Sequence, residues 1–212
     1  MFQEVKYALS DIVDWLEERP EDLGEYLKLI VMAAFAALFL SIVAAAALAM
    51  FSAPMVSYTQ VTAEPIGEVG VNCLKIMSWQ FWTIITLTEM VEELIFRVVP
   101  LVATALITAL VVYLINAYTG KDINIRRAVI AVALVVALPC SLYFGYGHGN
   151  IFNLFVQGVT GYILSLVYIK CGGVSWNLLT GFLSSSAMHF LFNAILFMNA
   201  LVAGMSYFCF NV

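Results

Sequence analysis

The stretch LKLIVMAAFAALFLSIVAAAALAMF, residues 27–51, carries a single charge, Lys28, in 25 residues. At 1.5 Å per residue a helix of that length measures about 37 Å, enough to cross the roughly 30 Å hydrocarbon core of a bilayer. It reads as a membrane span, and the rest of the chain agrees. Of 212 residues, 63% are apolar and 11% charged, with a mean hydropathy of +0.98; soluble domains run at about 45–50% and about 25%. A chain this short cannot hide that much hydrocarbon in its own interior, so the surplus must face lipid. The same balance excludes a disordered chain, and a pI near 4.9 argues against a nucleic-acid partner.

Four further apolar regions follow the first span. Residues 76–118 are too long for one straight crossing and contain Glu89, Glu92, Glu93, Arg97 and Pro100. Residues 128–146 and 151–169 are each of spanning length. In residues 174–210, Gly181 and the run Ser184, Ser185 and Ser186 suggest a short or re-entrant helix before a last span beginning near Ser185. Residues 52–75 read as a loop. The expected fold class is therefore all-α, a polytopic membrane helix bundle of about six transmembrane helices, with five to seven fitting the pattern. That makes the chain a multi-pass integral protein, expected in the cell membrane.

Residues 1–26 stand apart as an acidic appendage, with residues 27–212 forming the membrane domain. The appendage holds eight of the fourteen acidic residues. It lacks the pattern of a secretory signal, so the N-terminus is expected to be retained. Phe2, Val5, Leu9, Ile12 and Leu16 recur at helical spacing, predicting an amphipathic helix that Pro20 stops. Its acids would be repelled by an anionic lipid surface, so the helix is expected to pack on protein: the membrane domain and, by its acidic face, a protein partner. Cys73, Cys140, Cys171 and Cys209 are scattered, with no zinc-finger spacing, and read as packing residues.

The polar linker at 119–127, with Lys121, Arg126 and Arg127, is expected on the cytoplasmic side. If residues 76–118 cross once, the N-terminus shares that side; if they cross twice, it lies opposite. On the single-crossing reading, Glu92 and His148 approach the same face of the bilayer.

Ionisable groups inside a span are costly and mark function by default. Glu93 and Arg97, at i and i+4, are placed for an ion pair in the favourable acid-first order. Glu92 is rotated by about 100° from them and is free to point elsewhere, as a general base requires. His148 follows Phe144 by four residues, so the aromatic can pack beside the imidazole; His189 and Asn193 share a helix face. Glu89, Asn150 and Asn153 read as structural or water-facing.

Glu92-Glu93-x-x-x-Arg97, Phe144-x-x-x-His148 and His189-x-x-x-Asn193, in that order in a polytopic chain, resemble the three-motif signature of the CAAX-protease and bacteriocin-processing (CPBP) family of intramembrane proteases. The similarity covers residues 88–194. Val98 stands where a glycine commonly follows the arginine, and the interval from Arg97 to His148 is longer than usual. The resemblance implies a peptidase that cuts near the C-terminus of a lipidated, prenylated or otherwise membrane-associated protein. In it Glu92 and His148 would activate water, Glu93 and Arg97 would hold the first motif, and His189 with Asn193 would stabilise the oxyanion. Glu92, His148 and His189 could also serve as three zinc ligands; with no HExxH motif, the reading favours a metal-free mechanism and leaves zinc open. Two other classes stay in view: a non-catalytic scaffold or immunity protein on the same fold, and a proton-coupled transporter, although no inverted repeat is visible.

Overall fold

A computed structural model describes residues 2–51, 79–148 and 153–205; the predicted 52–75 loop, Asn150, Cys73 and Cys209 lie outside the described residues. The described chain is all-helical. The elements are α1 (Phe2–Glu17), α2 (Leu23–Phe51), α3 (Trp79–Glu93), a π-helical turn (Leu94–Val98), α4 (Val99–Thr119), α5 (Ile125–Gly147), α6 (Asn153–Lys170) and α7 (Leu178–Met205). Four helical runs are long and apolar enough to cross a membrane: Leu23–Leu48, Trp79–Thr119, Ile125–Gly147 and Leu178–Met198. The fifth long helix, α6, is largely buried among them.

The run from Trp79 to Thr119 is continuous over 41 residues, as the single-crossing reading requires. α4 and α5 meet in a tight turn, where Gly120 adopts a left-handed φ of 67° that a side chain would disfavour. Asn116 bonds both the amide and the carbonyl of Ile123, and Asn124 caps α5 by accepting from the Arg127 amide at 3.0 Å. The N-terminal helix docks at this same end of the bundle. Arg127 pairs with Asp14 at 2.6 Å and donates to Ser10 at 2.8 Å, Arg126 donates to the Glu17 carbonyl, and Lys170 donates to the Trp15 carbonyl.

Packing on the membrane domain is thus observed for α1, and of the described members of the predicted stripe Leu16 is buried and Ile12 is not. Val13 and Leu16 are in the core, whereas Ile12 is 46% exposed. Those two side chains enter a cluster with Val129, Ile130, Tyr168 and Ile169, and burying each is worth about 1.5–3 kcal/mol. The half-exposed Arg127–Asp14 pair adds at most about 1 kcal/mol, so apolar burial dominates the docking. α1 ends at Glu17, before Pro20. At the start of α2 the Glu25 amide donates to Asp22 Oδ1 at 2.9 Å, capping the helix, and the Glu21 amide donates to Glu25 Oε2 at 2.8 Å.

Within the membrane domain, helices associate through small residues, because lipid offers no hydrophobic drive between them. Ala34, Ala37, Ser41 and Ala45 form the buried stripe of α2, and Ser41 meets Thr160 of α6 at 2.9 Å. α5 and α6 approach more closely. A Cβ on Gly145 would fall 2.4 Å from the Asn153 carbonyl oxygen and 2.7 Å from the Gly158 nitrogen. α7 runs unbroken, so no short or re-entrant helix precedes the last span. Ser184, Ser185 and Ser186 are buried, and a Cβ on Gly181 would fall 2.6 Å from the Gly173 Cα, so this glycine marks a close crossing within a helix.

Candidate active site

The π-helical turn carries the arginine of the first motif. Pro100 has no amide hydrogen to return to the preceding turn, and the Val99 amide bonds the Leu94 carbonyl five residues back. Such insertions are frequent at functional sites. The turn delivers Arg97 to the interior at 1% exposure, with its Nη1 3.0 Å from Glu93 Oε1.

A guanidinium buried this deeply needs more than one partner. Its Cζ lies 4.1 Å from the centre of the Phe144 ring, a cation–π contact that gains strength away from water. Room for it comes from α6: a Cβ on Gly161 would stand 3.0 Å from Arg97 Nη2 and 2.9 Å from Phe144 Cδ1. The same phenyl ring packs edge-on against His148 at 4.4 Å and His189 at 5.8 Å. Phe144 therefore fixes Arg97 and both imidazoles relative to one another.

Two antiparallel helices supply the remaining polar groups. Glu93 Oε1 faces His189 Nδ1 at 3.0 Å, and one turn away Asn193 Nδ2 donates to Glu89 Oε1 at 2.9 Å. Glu92, on the adjacent face, is 26% exposed and reaches into the space between the histidines, with Oε1 4.0 Å from His148 Nε2 and Oε2 3.8 Å from His189 Nε2. His148 ends α5, its Nδ1 2.8 Å from the Phe144 carbonyl, and Asn153 Nδ2 donates to the His148 carbonyl at 2.5 Å.

These bonds set the tautomers. A backbone carbonyl and a carboxylate only accept, so Nδ1 carries the hydrogen on both His148 and His189. In the neutral rings both Nε2 lone pairs then face the Glu92 carboxylate. Acceptors converge without a donor, at separations longer than a hydrogen bond, which is the arrangement a bridging water satisfies.

All six residues of the predicted site are thus gathered: Glu93, Arg97 and His189 in a buried linked set, Glu92 and His148 partly accessible beside it, and Asn193 one turn along. Of the neighbours read as structural or water-facing, Glu89 and Asn153 are structural. Neither Glu89 nor Asn153 faces water: they are 3% and 2% exposed and bond residues of the second and third motifs. Their partners lie on other helices, so helical spacing along one segment carried no sign of them. For a tetrahedral zinc, donor atoms stand roughly 3.4 Å apart. The separations around Glu92 are wider, and among the described residues no three His, Cys, Asp or Glu side chains are arranged to hold a metal ion; as they stand, these groups do not fit zinc.

Beside the site, a shallow groove of about 290 Å³, open along the surface, lies between α3 and α7, lined by Trp82, Thr83, Thr86, Leu87 and Phe190. The two threonine hydroxyls donate to carbonyls of their own helix, at 2.9 and 2.8 Å, which leaves the lining effectively apolar. No protein-family model, curated protein or solved structure matches the chain.

Proposed function

We propose that this protein is an intramembrane endopeptidase of the CPBP type, hydrolysing a peptide bond near the C-terminus of a lipidated protein or in a membrane-associated peptide. The observation that carries this reading is the convergence of the Glu92 carboxylate and the Nε2 atoms of two imidazoles on one space, with Glu93, Arg97 and Phe144 holding them from behind. A water placed about 2.8 Å from Glu92 and a histidine donates its hydrogens to them and turns its own lone pair outward. Attack on a peptide carbonyl transfers a proton to Glu92, which returns it to the leaving amine. Asn193, which keeps a second amide hydrogen after bonding Glu89, supplies a donor to the oxyanion; His148 is the histidine that accepts from the water, and His189, with a hydrogen on Nε2 as well as Nδ1, is the second donor. The apolar groove beside Glu89 and His189 suits the hydrocarbon part of the substrate. The membrane location assigned is the cell membrane, with the linker end on the cytoplasmic side.

The test is cleavage of prenylated and unprenylated C-terminal peptides by detergent-purified protein, with Glu92→Gln alongside and with and without a chelator. Cleavage is expected from the wild type, insensitive to chelator, and reduced about 10²–10⁴-fold in Glu92→Gln. A folded wild type that cleaves none of the peptides overturns the reading; loss with chelator, restored by zinc, replaces the metal-free mechanism.

A further inference from the structure

Glu89 is the acid of α3 that the three motifs leave without a part, yet it is 3% exposed and bonded across the helix interface. The interface is a two-rung ladder. Glu89 and Glu93 lie one turn apart on one face of α3, and His189 and Asn193 lie one turn apart on one face of α7. Because the helices run antiparallel, Glu93 meets His189 at 3.0 Å and Glu89 meets Asn193 at 2.9 Å. In each rung the α3 carboxylate accepts and the α7 group donates. The first rung selects the tautomer of His189.

We infer that the second rung does the equivalent for the amide: Glu89 is the positioning residue of Asn193, holding its carboxamide nitrogen so that the other hydrogen of that nitrogen is presented to the reacting group. The inference rests on the peptidase reading for its catalytic consequence. The choice of an acid is itself informative. An amide or hydroxyl at position 89 could bond either end of Asn193, whereas a carboxylate has no hydrogen to give and excludes the orientation in which the Asn193 oxygen faces it. The second Glu89 oxygen is also buried without a hydrogen-bond partner.

The experiment uses the full chain in detergent, labelled with ¹⁵N-asparagine, with the Asn193 side-chain signal assigned by its loss in Asn193→Ala. In the wild type the two amide protons are expected to be well separated, one of them shifted by the carboxylate. In Glu89→Leu they are expected to converge toward the values of a free amide; an unchanged pair overturns the inference. If Glu89→Leu does not fold, Glu89→Asp, which draws the oxygens back by one methylene, is read in the same way. With a cleaved peptide, Glu89→Leu is expected to lower kcat about 10- to 100-fold with KM little changed. Glu89→Gln, whose amide can bond either end of Asn193, is expected to fall between wild type and Glu89→Leu. Adding Glu89→Leu to Asn193→Ala is expected to lower kcat by less than about threefold more; independent, multiplying losses overturn the inference. A wild type that cleaves nothing overturns the peptidase reading alone, since the amide signals decide the positioning without turnover.

Discussion

Glu92 and Glu93 are neighbours in sequence and opposites in environment. Glu93 is fully buried against Arg97 and His189, while Glu92 keeps a quarter of its surface. Glu93→Gln leaves a buried guanidinium without its counter-charge, a change worth about 3–5 kcal/mol, so it is expected to lower the thermal unfolding midpoint in detergent sharply. Glu92→Gln is expected to leave that midpoint within a few degrees while abolishing cleavage; equal losses of stability in the two variants would contradict the division of roles. This division was legible in the sequence, because a helix places i and i+4 together and turns i+1 away. Glu89 and Asn153 were not, since the register between two helices is set by contacts that no spacing along one of them encodes.

The bundle's helices are shaped by where backbones must come close. Gly145 is the tightest case, and Gly145→Ala puts a methyl 2.4 Å from the Asn153 carbonyl. It is expected to force α5 and α6 apart, lower the unfolding midpoint, and reduce kcat by moving His148; an unchanged kcat and midpoint would show that the interface yields without cost. The groove between α3 and α7 makes a separate prediction. Thr86→Trp fills it and is expected to raise KM for a prenylated peptide while leaving that for an unprenylated one nearly unchanged, as steady-state kinetics would show. At this scale the helical class was readable from apolar runs; among the described residues four helical runs are long and apolar enough to cross a membrane where about six were expected, and the apolar run read as a span at 151–169 is the largely buried α6. The continuity of α7 was hidden because glycine and serine mark both breaks and close crossings, and only the partner helix distinguishes them.

Taken as a whole, the molecule has two ends with different tasks. One gathers the catalytic candidates; the other is closed by α1 against α5 and α6. Leu16→Ala removes a side chain that is 1% exposed and is expected to cost about 2–5 kcal/mol, measurable as a lower unfolding midpoint and faster proteolysis of α1. Raised salt, by contrast, is expected to change little, because the exposed Arg127–Asp14 pair contributes little. The continuous run from Trp79 to Thr119 has a consequence for the surroundings. Its 41 residues measure about 61 Å if straight, twice the hydrocarbon thickness of a bilayer at about 30 Å. The protein must lean, reach out of the hydrocarbon, or thicken the lipid around it. For the proposed peptidase, acyl-chain length thereby becomes a variable of the reaction: the host membrane would decide the depth at which Glu92 meets a peptide and how much water accompanies it.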